Sequence, residues 1–230
     1  MNASKLAVRL IAQTTLWLGF MAILLFWAAD NWRWAQAWAF VVIFAAGSAA
    51  FGLWLLPRDP DLLASRLNPT PQRGQPLWDQ VFLGTFIGVW FAWLVLMGLD
   101  AQRWHWSNMP IWLNIFGGAL VIAGFWATTF VFRANSFAAP VVRIQSERKQ
   151  HVIDTGPYAF IRHPMYAAAL LYLIGMPLLL GSWYGLLVVP LFIAGLAPRA
   201  VSEENLLKRD LPGYADYMKR VRYRLIPGLW

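Results

Sequence analysis

The chain has 230 residues, of which 59% are hydrophobic and only 13% charged, against roughly 25% charged residues in soluble domains. It carries a net charge of +8 and no cysteine, which excludes disulfides, thiolate metal sites and cysteine nucleophiles. With three histidines and few carboxylates, a zinc site is also not expected.

The elements in chain order read as membrane helices. Leu10–Ala29, Ala35–Leu56, Gln80–Leu99 and Pro110–Phe132 are free of charge, and each runs about 20 residues, enough to cross a hydrocarbon layer as a helix. The first is too long for a signal-peptide core and lacks an obvious small-x-small cleavage site, so it is expected to stay as a mature helix. A fifth charge-free run, Pro164–Pro198, is too long for one crossing. Gly181-Ser182 near its middle predicts a tight hairpin of two shorter helices. The expectation is an all-α, polytopic bundle of about six transmembrane segments, since backbone groups in lipid must pair internally. Residues 1–132 read as a four-helix transmembrane scaffold, and residues 133–230 as a functional core with the hairpin and amphipathic helices.

The basic charge follows the membrane. With the N-terminus in the cytoplasm and six crossings, 17 of the 19 Lys and Arg fall on the cytoplasmic side, leaving only Arg33 and Arg103 outside. This distribution points to topology and lipid contact, and no nucleic-acid partner is expected. Tryptophans near the expected helix ends, such as Trp32, Trp34, Trp104, Trp106 and Trp183, fit interfacial belts. The loop from Pro57 to Asp79, rich in Pro and Arg with an amphipathic piece at Leu62–Leu67, is expected on the membrane surface.

Polar residues concentrate in the second half. "GPYAFIRHPMY", Gly156 to Tyr166, leads into the hairpin. Beyond it, Glu203 and Glu204 are expected to open a helical stretch that breaks at Leu211-Pro212-Gly213. Tyr214, Tyr217, Met218, Val221 and Leu225 then recur at helical spacing, opposite Lys219, Arg220, Arg222 and Arg224. That pattern suits a helix lying on an anionic surface. A hairpin must bring its entrance, Arg162–Tyr166, beside its exit, Arg199–Glu204. One His, two Arg, two Glu and, with Tyr158 of the same motif, two Tyr then share a small volume at one membrane face. Pro164 suits a first helical position, and the helix start behind His163 offers free N–H groups to an anion. The same residues also allow a plain topological reading, in which Arg162 snorkels and pairs with Glu203.

The two stretches together resemble the isoprenylcysteine carboxyl methyltransferase family and, more distantly, the membrane phospholipid N-methyltransferases. The resemblance covers roughly Asn135 to Gly228. It rests on G-x-Y-x-x-x-R-H-P-x-Y at Gly156–Tyr166 and on "EENLLKRDLPGYADYMKRVRYRLIPG" after the hairpin, in the right order and separation. It implies an S-adenosyl-L-methionine pocket with contacts from Tyr158, His163, Pro164, Met165 and Tyr166. An Arg one turn before a cofactor-contacting Glu is matched by Arg199 and Glu203, which the resemblance also makes the candidate catalytic pair. A four-residue stretch before the Gly, commonly starting with His, falls on Gln150, His151, Val152 and Ile153, with either Gln150 or His151 in the leading role. Arg143–Gln145 is a further approach to the cofactor.

The function these features imply is methyl transfer by a multi-pass membrane enzyme to a lipophilic acceptor arriving from the bilayer, with site and termini cytoplasmic. A carboxylate acceptor needs no base at neutral pH. Methylation of an amine or phenol of a phospholipid or quinone stays open, with His163 or Glu204 as base. A non-enzymatic transporter or interaction protein is the remaining class, although no expected span carries an intramembrane charge.

Overall fold

The computed structural model describes residues 3–68 and 71–230. Of the expected Pro57–Asp79 surface loop, Pro69 and Thr70 lie outside the described residues. All regular elements among the described residues are helical: α1 (Ala3–Ala29), α2 (Ala35–Arg58), α3 (Pro60–Leu67), α4 (Leu77–Gly98), α5 (Ile111–Ala134), α6 (Pro164–Leu180), α7 (Trp183–Asp210) and α8 (Tyr214–Arg220). α4 continues into a π-helical turn at Leu99–Arg103. Five helices are long and apolar enough to cross a membrane, and α6, at 17 residues, is a shorter apolar helix. Their outer faces carry large exposed apolar side chains such as Leu16, Leu53, Ile115 and Leu187, as a lipid-facing surface requires.

The expected hairpin is present. Gly181 takes a left-handed conformation (φ +80°) that ends α6, and Ser182 caps α7 by accepting a hydrogen bond from the Gly185 N–H. Here a glycine is needed, because a side chain at that φ is strained. The two helices are unequal, however, and Glu203 and Glu204 do not open a new one. They lie inside α7, which runs unbroken for 28 residues through Pro190 and Pro198. Prolines are tolerated inside transmembrane helices, where neighbouring groups and local adjustments can satisfy the freed backbone carbonyls.

α5 and α6 pack closely enough that a Cβ at Gly175 would lie 2.8 Å from the Gly117 carbonyl oxygen. Small residues allow such backbone approach, which supplies packing where no hydrophobic drive exists between helices in lipid. Asn114 of α5 clinches the pair by donating to the Leu178 carbonyl at 2.8 Å. The main core, with Phe26, Phe40, Trp93, Met97, Met176 and Leu180 at its centre, binds α1, α2, α4, α6 and α7. Trp93 donates its indole N–H to the Gly185 carbonyl.

The helix ends sort into two layers. At one end, buried Asp100 accepts from Ser107 and Ser182, and Asn31 bonds Gln102. The other end gathers the motif residues, the Glu pair, α3 and α8. The two short helices both turn their apolar sides into protein. Leu62 and Leu63 of α3 are buried against Leu6, Leu55, Val131 and Phe132. Tyr214 and Tyr217 of α8 pack with Leu211, Val221, Ile144, Val152 and Leu207 rather than lying on a membrane surface. α8 is also shorter than its periodicity predicts: it ends at Arg220, and Leu225 joins the main core from a non-helical tail.

Candidate active site

Arg162 and His163 are placed by a backbone pairing that the sequence pattern does not announce. Their amides donate to the carbonyls of Tyr223 and Arg224 at 3.0 and 2.9 Å. Arg162 Nη1 donates to the carbonyls of Val221 and Arg222. The C-terminal tail is thereby tied to the motif preceding α6. Tail geometry is completed by the Trp230 carbonyl, which accepts from the amides of Arg224, Leu225 and Ile226.

Glu204 is the electrostatic centre of this arrangement. Its Oε1 accepts from Arg162 Nε at 2.6 Å and lies 3.1 Å from His163 Nε2, while its Oε2 accepts from Arg224 Nε at 2.9 Å. Glu204 and Arg162 are both buried, so the pair is desolvated and held by several bonds rather than snorkelling. The topological alternative, an Arg162–Glu203 pair, is replaced by Arg162–Glu204. Glu203, one residue along, projects differently. Its Oε2 accepts the Tyr166 O–H at 2.6 Å, and its side chain stays partly accessible. Tyr166 in turn stacks on His163, with ring planes within 4° and centroids 5.2 Å apart.

Arg199 does not join that group through an ion pair. Its Nε donates to Asp79 Oδ1 at 2.9 Å, and its Nη2 to the Pro140 carbonyl. Asp79, at the start of α4, is wholly buried; its other oxygen accepts from Gln75 Nε2 and the Val142 N–H. The Arg199 guanidinium also lies 5.6 Å over the Tyr166 ring. Sequence reasoning missed Asp79, because a single Asp at the edge of a long apolar run reads as a helix-end solvating charge.

Of these groups, Arg162, His163, Tyr166, Arg199 and Glu203 face one cavity of about 600 Å³, whereas Asp79 and Glu204 are not part of its lining. Of the expected site residues, Gln150, His151, Val152, Ile153, Tyr158, His163, Met165, Tyr166, Arg199 and Glu203 all line it. Pro164 is buried at the first position of α6 and is not part of the lining. Arg143 lines it, whereas Gln145 is buried and braces the loop by donating to the Phe137 carbonyl. Gln150 and His151 both line the cavity and are held differently: the Gln150 side-chain oxygen accepts from the Gln145 N–H, and His151 packs edge-on against Phe137. Tyr158 is fixed by the Asn135 amide and its carbonyl by the Tyr217 hydroxyl, and burial raises the Tyr158 pKa above its ordinary value.

The cavity has a second, apolar part. Leu10 and Thr14 of α1, Ser48 and Phe51 of α2, and Phe125 and Thr128 of α5 also line it. The helices expected to act as scaffold thus wall the site. Sequence could not show this, because these residues read as ordinary span residues until the fold brings them together. Among the described residues no group of three His, Cys, Asp or Glu could hold a metal ion.

The comparison with known proteins agrees with this geometry. A family model described as phospholipid methyltransferase matches residues 112–211, a range that holds α5, the motif, the hairpin and the Glu pair. The chain is also 26% identical over 157 residues to the nickel-cobalt-cadmium resistance protein NccN of Alcaligenes xylosoxydans xylosoxydans, covering 67% of this chain and 70% of that protein. Residues 112–211 are therefore similar to the phospholipid methyltransferase family.

Proposed function

We propose that the protein is an integral membrane S-adenosyl-L-methionine-dependent methyltransferase that O-methylates the carboxylate of an isoprenylcysteine-like lipophilic acceptor. The observation that carries this reading is the single cavity that joins a polar, motif-lined end to an apolar end walled by α1, α2 and α5. Such a site suits two reactants of opposite character, a polar cofactor and a lipid-soluble acceptor.

The residues fit the cofactor. Glu203, with one oxygen committed to Tyr166 and the other without a hydrogen bond among the described residues, would take ribose hydroxyls or the ammonium group. The loop Gln150–Ile153 and the rings of Tyr158 and Tyr166 would flank its flat and apolar parts. When bound, the cofactor supplies a methyl group on a cationic sulfur. The chain's own part is to bind, align and keep water out. Arg199 retains Nη1 after bonding Asp79 and Pro140, and would position the acceptor with it. In carboxyl methylation an O–CH3 bond forms as the S–CH3 bond breaks, with no proton to remove.

The base question favours a carboxylate acceptor. The candidate bases His163 and Glu204 are bonded to each other, and Glu204 is further bound by Arg162 and Arg224. Accepting a proton from an amine would break this buried cluster. Glu203, beside Tyr166, is the one carboxylate facing the cavity that keeps an amine acceptor as a second reading.

The test uses the purified protein in lipid nanodiscs. Calorimetry should show binding of S-adenosylhomocysteine, and labelled methyl should appear on farnesylcysteine acids before quinone precursors or phospholipids. Failure to bind the demethylated cofactor would overturn the methyltransferase reading. Labelling of phosphatidylethanolamine alone would overturn the carboxylate reading. The charge distribution supports a cytoplasmic face for both termini and the site.

A further inference from the structure

Four arginines line the cavity: Arg66, Arg143, Arg162 and Arg199. Three of them meet a carboxylate. Arg143 pairs with Glu147, Arg162 with Glu204, and Arg199 with Asp79. Arg66 forms no ion pair among the described residues. Its Nη1 donates to the Ala138 carbonyl, and its guanidinium stacks over Phe132 at 4.6 Å. Nε and Nη2 make no hydrogen bond to the described residues, and the residue opens onto the cavity.

Arg66 is half-buried and faces the cavity rather than open solvent, so its charge is partly stripped of water and favours an anion beside it. Burial pulls its pKa down to about 10, with Tyr158 and Tyr172 opposing the shift, so the group is still cationic at neutral pH. α3, which carries it, is well anchored. Asp59 caps the helix by accepting from the Leu62 N–H, and Leu62 and Leu63 are buried. Arg66 is therefore a pre-positioned cation, with Nε and Nη2 unbonded among the described residues and an aromatic face fixing its plane.

We propose that Arg66 is the receptor for the anionic oxygen group, carboxylate or phosphate, of the lipophilic acceptor. Its neighbours in the lining place it beside apolar wall: Leu63, Leu67 and Phe132 adjoin it, and Tyr158 belongs to the motif. An anion there leaves its chain among apolar side chains. Arg199 offers a donor but, against Asp79, brings no net charge. Arg66 brings both, which makes it the residue that selects acidic over neutral lipids. The inference rests on the methyltransferase reading for the word acceptor. The anion site itself stands on Arg66 alone.

The test is equilibrium binding to the full chain in nanodiscs of neutral phosphatidylcholine. The probes are N-acetyl-S-farnesyl-cysteine, its methyl ester and hexadecyl phosphate, with S-adenosylhomocysteine measured in the same preparations. The wild type should bind the farnesylcysteine acid about tenfold or more tightly than the ester, the size of one charge-assisted contact. Arg66→Gln should erase that preference while leaving ester and S-adenosylhomocysteine affinities unchanged, and Arg66→Lys should keep part of it. Dependence on Arg66 for hexadecyl phosphate but not for the acid would support the anion site and assign it to phosphate. Equal wild-type binding of acid and ester, together with no binding of hexadecyl phosphate, would overturn the proposal even if Arg66→Gln fails to fold. So would an anion preference that survives Arg66→Gln. Loss of S-adenosylhomocysteine binding in the wild type, with the acid preference intact, would strike the methyltransferase reading and leave the anion site standing.

Discussion

Arg199 and Asp79, 120 residues apart in sequence, meet at 2.9 Å and bind the middle of α7 to the start of α4. Both are buried, so each is the other's necessary neutralising partner. Asp79→Ala leaves an unpaired guanidinium and should cost ~3–5 kcal/mol. Arg199→Ala should cost a similar amount, and the double variant much less than their sum. Denaturation of the three variants in matched detergent provides the measurement. Additive costs would show that the pair does not act as a unit. In turnover, Arg199→Ala should lose about a hundredfold through misplacement of the acceptor, and Arg199→Lys should recover part of it.

Glu203 and Tyr166 make the second pair. Glu203→Gln keeps the shape but loses the charge, and should weaken S-adenosylhomocysteine binding about tenfold with little change in stability. Tyr166→Phe removes only the donor at 2.6 Å, so Glu203 loses its orientation but not its charge. A smaller loss of affinity is expected. His163→Ala removes the ring that stacks on Tyr166 and should act in the same direction. Calorimetry that finds Glu203→Gln indistinguishable from wild type would remove Glu203 from the cofactor site.

The spans, the hairpin and its turn at Gly181-Ser182 were legible because lipid imposes length and apolarity on each segment separately. The residues around the motif were legible because the hairpin itself brings Arg162–Tyr166 beside Glu203. What escaped was long-range. Which carboxylate answers Arg199, and which Glu answers Arg162, depends on side-chain projection from α7, where Glu203 and Glu204 lie on different sides of one helix. The same limit hid Arg66. In sequence it belongs to an amphipathic loop piece, and only burial of Leu62 and Leu63 turns its guanidinium from solvent to the cavity. The tail was misread for a related reason: its helical spacing continues to Leu225, but pairing with Arg162 and His163 draws Val221–Arg224 out of the helix.

The α5–α6 contact yields a packing prediction. At Gly175 an added Cβ would meet the Gly117 carbonyl oxygen at 2.8 Å and the side chains of Leu120 and Val121 at 3.0 Å. Backbone cannot swing aside as a side-chain tip does, so Gly175→Ala should force the helices apart at ~1–3 kcal/mol. Since α6 carries His163 and Tyr166 at its start, cofactor affinity should fall with stability. Gly84→Ala, with no heavy atom within 4 Å, is the control and should leave both unchanged. Equal thermal midpoints for the two variants would mean that α5 and α6 do not approach this closely.

Glu204 separates positioning from proton transfer. With Arg162, His163 and Arg224 on its two oxygens, it is an ionised group that holds the tail against the motif. Glu204→Gln keeps the volume but leaves Arg162 buried without its counter-charge, at a cost of ~3–5 kcal/mol. The tail, Arg222 to Trp230, should loosen first, because Arg162 holds the Val221 and Arg222 carbonyls while bonded to Glu204. Trypsin should then cut at Arg222 or Arg224 far faster than in the wild type. S-adenosylhomocysteine affinity should drop in parallel, as His163 loses its fixed partner. If Glu204 were instead a catalytic base, Glu204→Gln would abolish turnover while cofactor affinity and tail protection stayed normal, and the pH–rate profile would lose its acid limb. For the positioning role, the residual activity of Glu204→Gln on a carboxylate acceptor should keep the wild-type pH profile, with the tail exposed.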